Sequence, residues 1–538
     1  MKTANMFSRN FMAKSFLSMV LLVAIGCDNS DEQEYISIDP ASDDGEWVTF
    51  MEDLSYESLV LVEDQDELSE ALQQVSEGDL VFFEEKDTRD TQDLQSTNGA
   101  LLAVSGLDKG QMTIKDISDK GAVQKPSQTE FKHRGQYRRS CRILEIKRSV
   151  LSGDIAHYQI LVRMGKGPYD IVRIHRVVRE ARKYRPVRTS GNVFMVHGSS
   201  QDFDDIFLRP GVDTPNEQNS SPYFLASQNI DVWGIDLGWT LVPLETTDFS
   251  SFQDWGTTKD TRHVMKSMAI ARLVRGLTRQ GFGRMNLLGF SYGGFLTYNA
   301  AYKETRQHRI LRDIKGIIPA DWAMLYSPED DAYRENICNA GRAAEANYLD
   351  GVYQTSNGAA FAAVGGAALS DPTGDSPFAP GLTNYQFAIV AAAVPGPSPQ
   401  APNWHFLGGE FDGQAPTGLL YTDTERWFKL LVSLAPHQPT YNAVEGFGKF
   451  CEENVSTVEK QLNRIKIPIL YLGAAGGFGE QGVYSTSVTS SKDVSIHIAS
   501  KQPDELRAID YGHADMFMAE DAAQMVWEPL RNWLVDHK

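Results

Sequence analysis

The sequence is poor in cysteine and in the residue patterns that hold metals or nucleotides. Its 538 residues include only 4 cysteines. The chain contains no Cys-x-x-Cys, no His-Glu-x-x-His and no Gly-x-x-x-x-Gly-Lys-Ser/Thr. Such patterns bring zinc ligands together or wrap a phosphate in backbone N–H groups. We therefore expect no metal and no nucleotide cofactor.

Basic residues are also scarce. The chain has 51 Lys and Arg against 71 Asp and Glu, a formal net charge of −20, and it has no Lys/Arg cluster with interleaved aromatic residues. Nucleic-acid backbones are bound by positive charge, so this balance argues against nucleic acid as a partner. With 42% hydrophobic residues the chain can bury a sizeable core. Its length predicts more than one structural unit.

The apolar run near the N-terminus is too short to cross a bilayer. Phe16–Ile25 follows basic residues and predicts a signal peptide over 1–26. The run ends in Ala24-Ile25-Gly26-Cys27, which resembles a bacterial lipoprotein signal. The resemblance implies an exported protein anchored to a membrane, on its periplasmic or cell-surface side, by acyl chains at Cys27. An ordinary secretory signal with an incidental cysteine is the alternative.

Two further segments follow the predicted signal peptide, at residues 27–46 and 47–150. Residues 27–46 are acidic and polar and predict a flexible tether, because they have too little apolar surface to fold. Residues 47–150 contain short strand-like runs separated by turns, which predict a small β-rich accessory domain. These runs are 58–62, 79–83 and 100–104. A ligand-free packing domain and a polymer-binding domain both fit this pattern.

The most informative motif is Gly289-Phe290-Ser291-Tyr292-Gly293. It follows the apolar stretch 285–288 and opens onto a helical pattern, and that order is typical of a serine nucleophile on a sharp turn. The glycines are needed because the turn leaves no room for side chains beside the serine, and the following helix N-terminus favours negative charge. In a chain with 44 glycines the pentapeptide alone is a weak signal.

Its context strengthens the signal. The buried-strand pattern 192–196 ends in His197-Gly198-Ser199-Ser200, and Gly512-His513 follows the last predicted strand, before an apolar C-terminal helix. Strands are predicted at 231–236, 467–473 and 494–498, and a helix at 264–278. With His-Gly, Gly-x-Ser-x-Gly and Gly-His in this order, the chain resembles the α/β-hydrolase family, in particular its serine esterases and lipases.

The resemblance implies an α/β fold with a mostly parallel, doubly wound sheet and helices on both faces. The hydrolase core is expected over 151–321 and 465–538. The intervening residues 322–464 are expected to form a large cap or lid insertion. A cap of this size favours a bound acyl chain or aromatic group, although a purely structural role also fits.

The resemblance also implies a catalytic triad. Ser291 would attack a carbonyl carbon and His513 would take the serine proton. The backbone N–H groups of Ser199 and Tyr292 would form the oxyanion hole.

The acid of the triad has several candidates in the sequence. The family usually places it where this chain has Gly476, within a glycine-rich loop, so the pattern is broken there. Asp321, at the end of the preceding strand, is our first choice, and Glu480 is the alternative. Asp412 in the cap and Asp510 near the histidine are more remote options.

Together these features predict a serine hydrolase that cleaves carboxylic esters, of a small molecule or a polymer, through an acyl-enzyme and without a cofactor. A peptidase or an acyltransferase on the same triad is the nearest alternative. A non-catalytic surface-binding lipoprotein on a hydrolase scaffold is the alternative from another class. Cys338 and Cys451 both fall in the cap, and an exported protein could join them, but their spacing does not show it.

Overall fold

The computed structural model describes most of the chain from residue 141 onward. The described residues are 141–396 and 399–538 and, before them, 19–23, 34–38, 47–48, 51, 55–56, 59–62, 80–86 and 97–103. Cys27 and most of the predicted signal peptide and tether lie outside these residues, so those predictions stay predictions.

Six short strands are described before residue 141. They are β1 (Met19–Val23), β2 (Glu34–Ile38), β3 (Ser55–Tyr56), β4 (Leu59–Val62), β5 (Leu80–Lys86) and β6 (Thr97–Ala103). Five of them form one sheet in the order β2-β1-β6-β5-β4, while β3 joins a second, larger sheet. The strand-like runs noted in the sequence at 58–62, 79–83 and 100–104 overlap β4, β5 and β6.

The larger sheet is built from strands along most of the chain. The remaining strands are β7 (Cys141–Ser152), β8 (Ile155–Arg163), β9 (Ile171–Arg182), β10 (Arg185–Pro186), β11 (Gly191–Val196), β12 (Ile230–Asp236), β13 (Met285–Phe290), β14 (Ile314–Ala320), β15 (Gln354–Thr355), β16 (Gly409–Asp412), β17 (Ala415–Leu419), β18 (Gln438–Pro439), β19 (Ile469–Ala474) and β20 (Val494–Ala499). The sheet has 11 strands in the order β20-β19-β14-β13-β11-β12-β9-β8-β7-β3, with β10 beside β9. The strands from β20 to β12 are parallel, and those from β12 to β3 are antiparallel.

The boundary predicted at residue 150 falls inside β7, and β3 also pairs in the large sheet. The core sheet therefore takes in residues that the sequence pattern predicts to lie in the accessory domain. The reason is that β7 pairs with β8 along almost its whole length, from Arg142 opposite Arg163 to Ser152 opposite Ile155. A hairpin of this length cannot be divided between two structural units.

Twelve α-helices are described from residue 141 onward. They are α1 (Ser221–Ser227), α2 (Thr257–Leu277), α3 (Tyr292–Glu304), α4 (Asp331–Leu349), α5 (Asn357–Ser370), α6 (Asn384–Ala393), α7 (Thr424–Ser433), α8 (Thr440–Phe447), α9 (Glu452–Leu462), α10 (Gly479–Ser487), α11 (Asp515–Met518) and α12 (Glu528–Asp536). No helix within the described residues is both long and apolar enough to cross a membrane.

The central strands bury side chains on both faces of the sheet. In β11, Phe194 and Val196 join a core with residues of α2 and α3, whereas Val193 and Met195 join a separate core with residues of α1 and α12. This alternation follows from the two-residue period of a strand. The fold class is the predicted one, a mostly parallel sheet covered by helices on both faces.

The segment between β14 and β19 contains helices α4 to α9 and the short strands β15 to β18. It has its own small apolar core, which includes Ala388, Trp427 and Leu431. A disulfide joins Cys338 on α4 to Cys451, the residue before α9. The bond ties together two parts of the segment that are 113 residues apart in sequence.

We predict that breaking this disulfide lowers the free energy of unfolding by about 2–5 kcal/mol, because a long closed loop restricts the unfolded chain. The double variant Cys338→Ala/Cys451→Ala should unfold at lower urea concentration than the native chain and should not respond to dithiothreitol. A native protein whose unfolding midpoint is the same with and without reductant would contradict the bridge.

Candidate active site

Ser291 lies on a strained turn between β13 and α3. Its backbone has φ 54° and ψ −120°, outside the range that a serine normally adopts. A Cβ on Gly289 would come within 2.0 Å of the Gly293 carbonyl oxygen, and one on Gly293 within 2.2 Å of the Val196 oxygen. Only glycine fits at these positions, which is the reason for the Gly-x-Ser-x-Gly pattern.

The serine turn lies at the point where the strand order reverses. From β11 the chain continues to β12 on one side, and it later returns to β13 on the other side of β11. In sheets of this kind the crevice at the carboxyl ends of these strands is the usual binding site. The Ser291 turn follows β13, and the His197-Gly198 loop follows β11. A Cβ on Gly198 would lie 3.1 Å from the Ser291 Cβ, so the two loops are in close contact.

His513 and Asp321 form a buried hydrogen-bonded pair. The distance from His513 Nδ1 to Asp321 Oδ2 is 2.6 Å. His513 is 2% exposed and Asp321 is fully buried. Phe290, the residue before the serine, stacks on the His513 ring with centroids 4.4 Å apart. The pair therefore lies beside the serine turn.

The carboxylate of Asp321 is enclosed by backbone N–H groups from the end of β19 to the start of α10. Its Oδ1 accepts hydrogen bonds from Ala474 at 2.9 Å, Phe478 at 3.1 Å and Gly479 at 3.2 Å. Asp321 itself has φ 46°, a conformation that aspartate tolerates better than most residues. A Cβ on Gly477 would lie 1.9 Å from Asp321 Oδ2. The glycine-rich loop that broke the expected acid pattern is thus the cradle of an acid from the neighbouring strand.

The other carboxylates considered from the sequence lie elsewhere. Glu480 is exposed in the first turn of α10, and Asp412 is exposed at the end of β16. Asp510 is buried, but it accepts hydrogen bonds from the Ser500 hydroxyl and from the backbone N–H groups of Lys501 and Gln502. Of the carboxylates that we considered, Asp321 is the one hydrogen-bonded to His513.

Two backbone N–H groups remain available near the serine. Gly198 N–H donates to Gln201 Oε1 at 3.2 Å, and Ser200 N–H donates to Gln438 Oε1 at 3.1 Å. Within the described residues, the N–H groups of Ser199 and Tyr292 make no hydrogen bond. They are the two donors predicted from the sequence.

His197 holds the loop that carries Ser199. Leu237 N–H donates to His197 Nε2 at 3.2 Å, so Nδ1 carries the ring proton and donates to the Gly198 carbonyl at 2.8 Å. Burial lowers the pKa of His197 to about 4, which keeps the ring neutral at physiological pH. The sequence marked this histidine as part of a motif but did not show what its ring does.

A cap segment that the sequence did not single out contacts both His513 and the acid loop. His405 N–H donates to the Gly476 carbonyl at 2.9 Å, and His513 N–H donates to the His405 carbonyl at 3.0 Å. The His405 ring is buried and lies within 2.7 Å of the Asn403 oxygen and 2.8 Å of the Asp510 oxygen. The cap segment around His405 therefore fixes the loop that carries His513 relative to the loop between β19 and α10. An isolated histidine in an irregular stretch offered no sequence signal for this role.

Aromatic side chains surround the His513 ring. Besides Phe290, the ring centroids of Trp404, Phe478 and Phe406 lie 5.2, 5.9 and 6.3 Å from that of His513. Two of these residues come from the cap and one from the acid loop. The surroundings of the histidine are therefore largely apolar. Within the described residues, no group of three or more His, Cys, Asp or Glu side chains is arranged to hold a metal.

Proteins similar to this chain are found among solved structures. Neither a family model nor a curated protein matches the sequence. Among solved structures, the chain is similar to a proposed lipase from Sulfolobus solfataricus, with 18% identity, a TM-score of 0.49 and coverage of 73% of this chain and 99% of that one. It is also similar to monoglyceride lipase from Saccharomyces cerevisiae (12%, TM-score 0.38, 76% and 99% covered) and to an acetylester hydrolase from Corynebacterium glutamicum (11%, 0.36, 73% and 96%).

The strand order and the serine turn agree with the fold that the resemblance to α/β-hydrolases implies. Because the identities and TM-scores of these neighbours are low, the likeness says nothing about substrate. Function is therefore inferred from this chain's own residues.

We predict that Gly477→Ala lowers the free energy of unfolding by about 1–3 kcal/mol, because the added methyl overlaps the Asp321 carboxylate. Gly366→Ala in helix α5 is the matched control, since its Cβ would contact nothing within 4 Å. This control should be neutral or slightly stabilising, because alanine favours helix. Urea unfolding of both variants measures the difference, and equal stability of the two would contradict the cradle.

Proposed function

We propose that the protein is a serine hydrolase that cleaves carboxylic esters through an acyl-enzyme on Ser291. The observation that carries the proposal is the buried hydrogen bond between His513 and Asp321, located beside a strained serine at the carboxyl end of the sheet. A histidine oriented by a buried carboxylate is the base that a serine needs to become a nucleophile.

In the first half of the reaction, Ser291 Oγ forms a bond to the ester carbonyl carbon while its proton passes to His513 Nε2. Asp321 accepts the hydrogen bond from Nδ1–H and stabilises the imidazolium that results. The negative charge on the former carbonyl oxygen is received by the N–H groups of Ser199 and Tyr292. The carbon–oxygen bond to the alcohol then breaks, and the alcohol leaves with the proton from His513.

In the second half, water attacks the acyl-enzyme carbonyl and gives its proton to His513. Collapse of the intermediate releases the carboxylic acid and returns the proton to Ser291. The chain's own residues supply every proton transfer, so the proposal requires no cofactor. The apolar rings around His513 favour an ester with a hydrocarbon or aromatic group over a small polar one.

The alternatives differ in the second half of the cycle or in the bond that is cleaved. Transfer of the acyl group to an added alcohol would indicate an acyltransferase, and release of an amine from an amide would indicate a peptidase. A binding protein on the same scaffold would retain neither reaction.

We predict that the full chain hydrolyses chromogenic esters and that Ser291→Ala loses on the order of 10⁶-fold in kcat. Asp321→Asn should lose about 10⁴-fold, because the asparagine favours the wrong histidine tautomer. Glu480→Gln is the matched control. The exposed carboxylate of Glu480 lies outside the Asp321–His513 pair, so kcat should stay close to native.

A chain-length series of esters measures these rates and also reports the preferred acyl group. Loss of activity in Glu480→Gln but not in Asp321→Asn would reverse the assignment of the acid. If no ester is turned over and a phosphonate probe fails to label Ser291, the binding-protein alternative replaces the hydrolase.

We also infer that the protein is exported and anchored to a membrane through acyl chains on Cys27. The sequence 1–27 supports this, and the Cys338–Cys451 disulfide fits an oxidising compartment outside the cytosol. Cleavage before Cys27 would remove β1 from the small N-terminal sheet.

We predict that mass spectrometry of the mature protein finds a first residue Cys27 carrying acyl chains. Cys27→Ala should abolish the added mass and release the protein from the membrane fraction, because a polar tether without acyl chains has no affinity for lipid. An unmodified Cys27, or a mature chain that still contains residues 19–23, would refute the anchor.

A further inference from the structure

Asp260 is a buried carboxylate on α2 that the proposed reaction does not use. It is fully buried, and its two oxygens accept hydrogen bonds from side chains of separate segments. Oδ1 accepts from Trp255 Nε1 at 2.8 Å. Oδ2 accepts from the Tyr292 hydroxyl at 2.8 Å, Asn442 Nδ2 at 3.1 Å and Trp239 Nε1 at 3.2 Å.

All these donors are neutral. No Lys or Arg within the described residues forms an ion pair with Asp260. Lys259 lies over the Trp255 ring and pairs with Asp170. Burial raises the pKa of Asp260 to about 6, and the hydrogen bonds oppose this shift.

Other titratable groups also lie near Asp260. His263, one turn further along α2, has its ring edge against Trp255, and burial lowers its pKa to about 3. Glu445 of α8 is engaged with Thr257 and Thr258. Burial, followed by the nearby Asp260 charge, raises the pKa of the Tyr292 phenol, so this group stays a donor. At neutral pH Asp260 is therefore the only charge within its own hydrogen-bonded group.

The hydrogen bonds of Asp260 reach both loops of the proposed oxyanion hole. Tyr292 follows the nucleophile, and its backbone N–H is one proposed donor, while its hydroxyl is held by Asp260. The Trp239 ring meets the edge of His197, with centroids 5.4 Å apart, and His197 orients the loop of the second donor, Ser199. Asn442 extends the same network to helix α8 of the cap.

We propose that Asp260 is a positioning residue which, in its ionised form, holds Tyr292 and Trp239 and thereby aligns the two backbone N–H groups that receive the oxyanion. The inference rests on the proposed function, because an oxyanion forms only if Ser291 attacks a carbonyl. A small displacement of such donors is costly, since each acts over a narrow range of distance.

Protonation of Asp260 changes this arrangement. A neutral carboxyl group carries one O–H, which must donate to one of its partners. The indole N–H groups of Trp239 and Trp255 cannot accept, whereas the Tyr292 hydroxyl and the Asn442 amide can. The hydrogen bond from Tyr292 or from Asn442 must therefore reverse.

Protonation of Asp260 is expected to lower kcat but to raise the stability of the fold. The pKa of Asp260 is raised above its ordinary value of 3.8, so the folded state binds this proton more tightly than the unfolded chain does. The stabilisation from this group is fully present below about pH 3.8 and is lost as the pH rises through about 6. A fall in kcat on acidification through pH 6 would therefore not come from Asp260 destabilising the fold.

The experiment compares the full chain with Asp260→Asn, Tyr292→Phe and the double variant on the best ester substrate. We expect each single variant to lose roughly 10- to 100-fold in kcat, with KM changed less than about threefold, because the loss is confined to the transition state. The double variant should lose no more than the larger single loss, since both changes break one linkage.

The pH profile gives a second readout. As the pH drops through about 6, protonation of Asp260 should lower kcat of the native chain by a further factor of roughly 10 to 100, the loss expected for Asp260→Asn. Asp260→Asn cannot undergo this protonation, so the ratio of native to variant kcat should shrink toward one below about pH 6. A purely structural role would lower the melting temperature and leave this ratio independent of pH.

Asp313→Asn is the matched control. Asp313 is a carboxylate paired with Arg272 before β14, at the end of the sheet opposite the serine. This variant should lower the melting temperature and leave kcat and its pH profile unchanged. Equal kcat in the native chain, Asp260→Asn and Tyr292→Phe would overturn the inference and leave the hydrolase intact. If Asp260→Asn fails to fold, an unchanged kcat in Tyr292→Phe alone overturns it. A native chain that neither hydrolyses esters nor reacts with a phosphonate at Ser291 would overturn the proposed function and the inference together.

Discussion

The site depends on a single buried interaction, the hydrogen bond from His513 to Asp321. A carboxylate taken out of water is costly unless its lone pairs are satisfied, and here N–H groups from the end of β19 to the start of α10 satisfy those that His513 leaves free. Gly477, between these elements, has to be a glycine because a side chain there would occupy the space of the carboxylate. The geometry of the acid loop and the orientation of His513 thus follow from enclosing one charge.

The cap is part of this construction. Its strip around His405 hydrogen-bonds both the acid loop and the His513 backbone. The side-chain oxygen of Gln438 in the cap accepts a hydrogen bond from the Ser200 N–H, and the side chain of Asn442 in the cap donates one to Asp260. Within the part of the chain that the structure describes, the N–H groups of Ser199 and Tyr292 near Ser291 have no hydrogen-bond acceptor. The disulfide within the cap supports the same arrangement by joining α4 to the start of α9.

Much of the fold was predictable because short-range patterns determine it. The buried strands at 192–196, 231–236 and 467–473 correspond to β11, β12 and β19, and the helix at 264–278 falls largely in α2. The start of the core sheet was not predictable in the same way. In β7 only the first four residues alternate between buried and exposed, which is too short a pattern to identify a strand. β3 is too short to recognise without its partner. Pairing with segments distant in sequence places β3 and β7 in the core sheet.

By itself the sequence determined the serine turn and the order of strands and helices, because glycine spacing and strand periodicity are local properties, and it predicted Ser291 and His513 as partners. It left several carboxylates as candidates for the acid and gave no role to His405 or Asp260. Only the tertiary structure identified Asp321 as the carboxylate that is hydrogen-bonded to His513 and showed the contacts of His405 and Asp260. The reason is that hydrogen bonding and burial depend on which segments meet in space. Asp321 and His513 are 192 residues apart, and no local pattern records that one lies against the other.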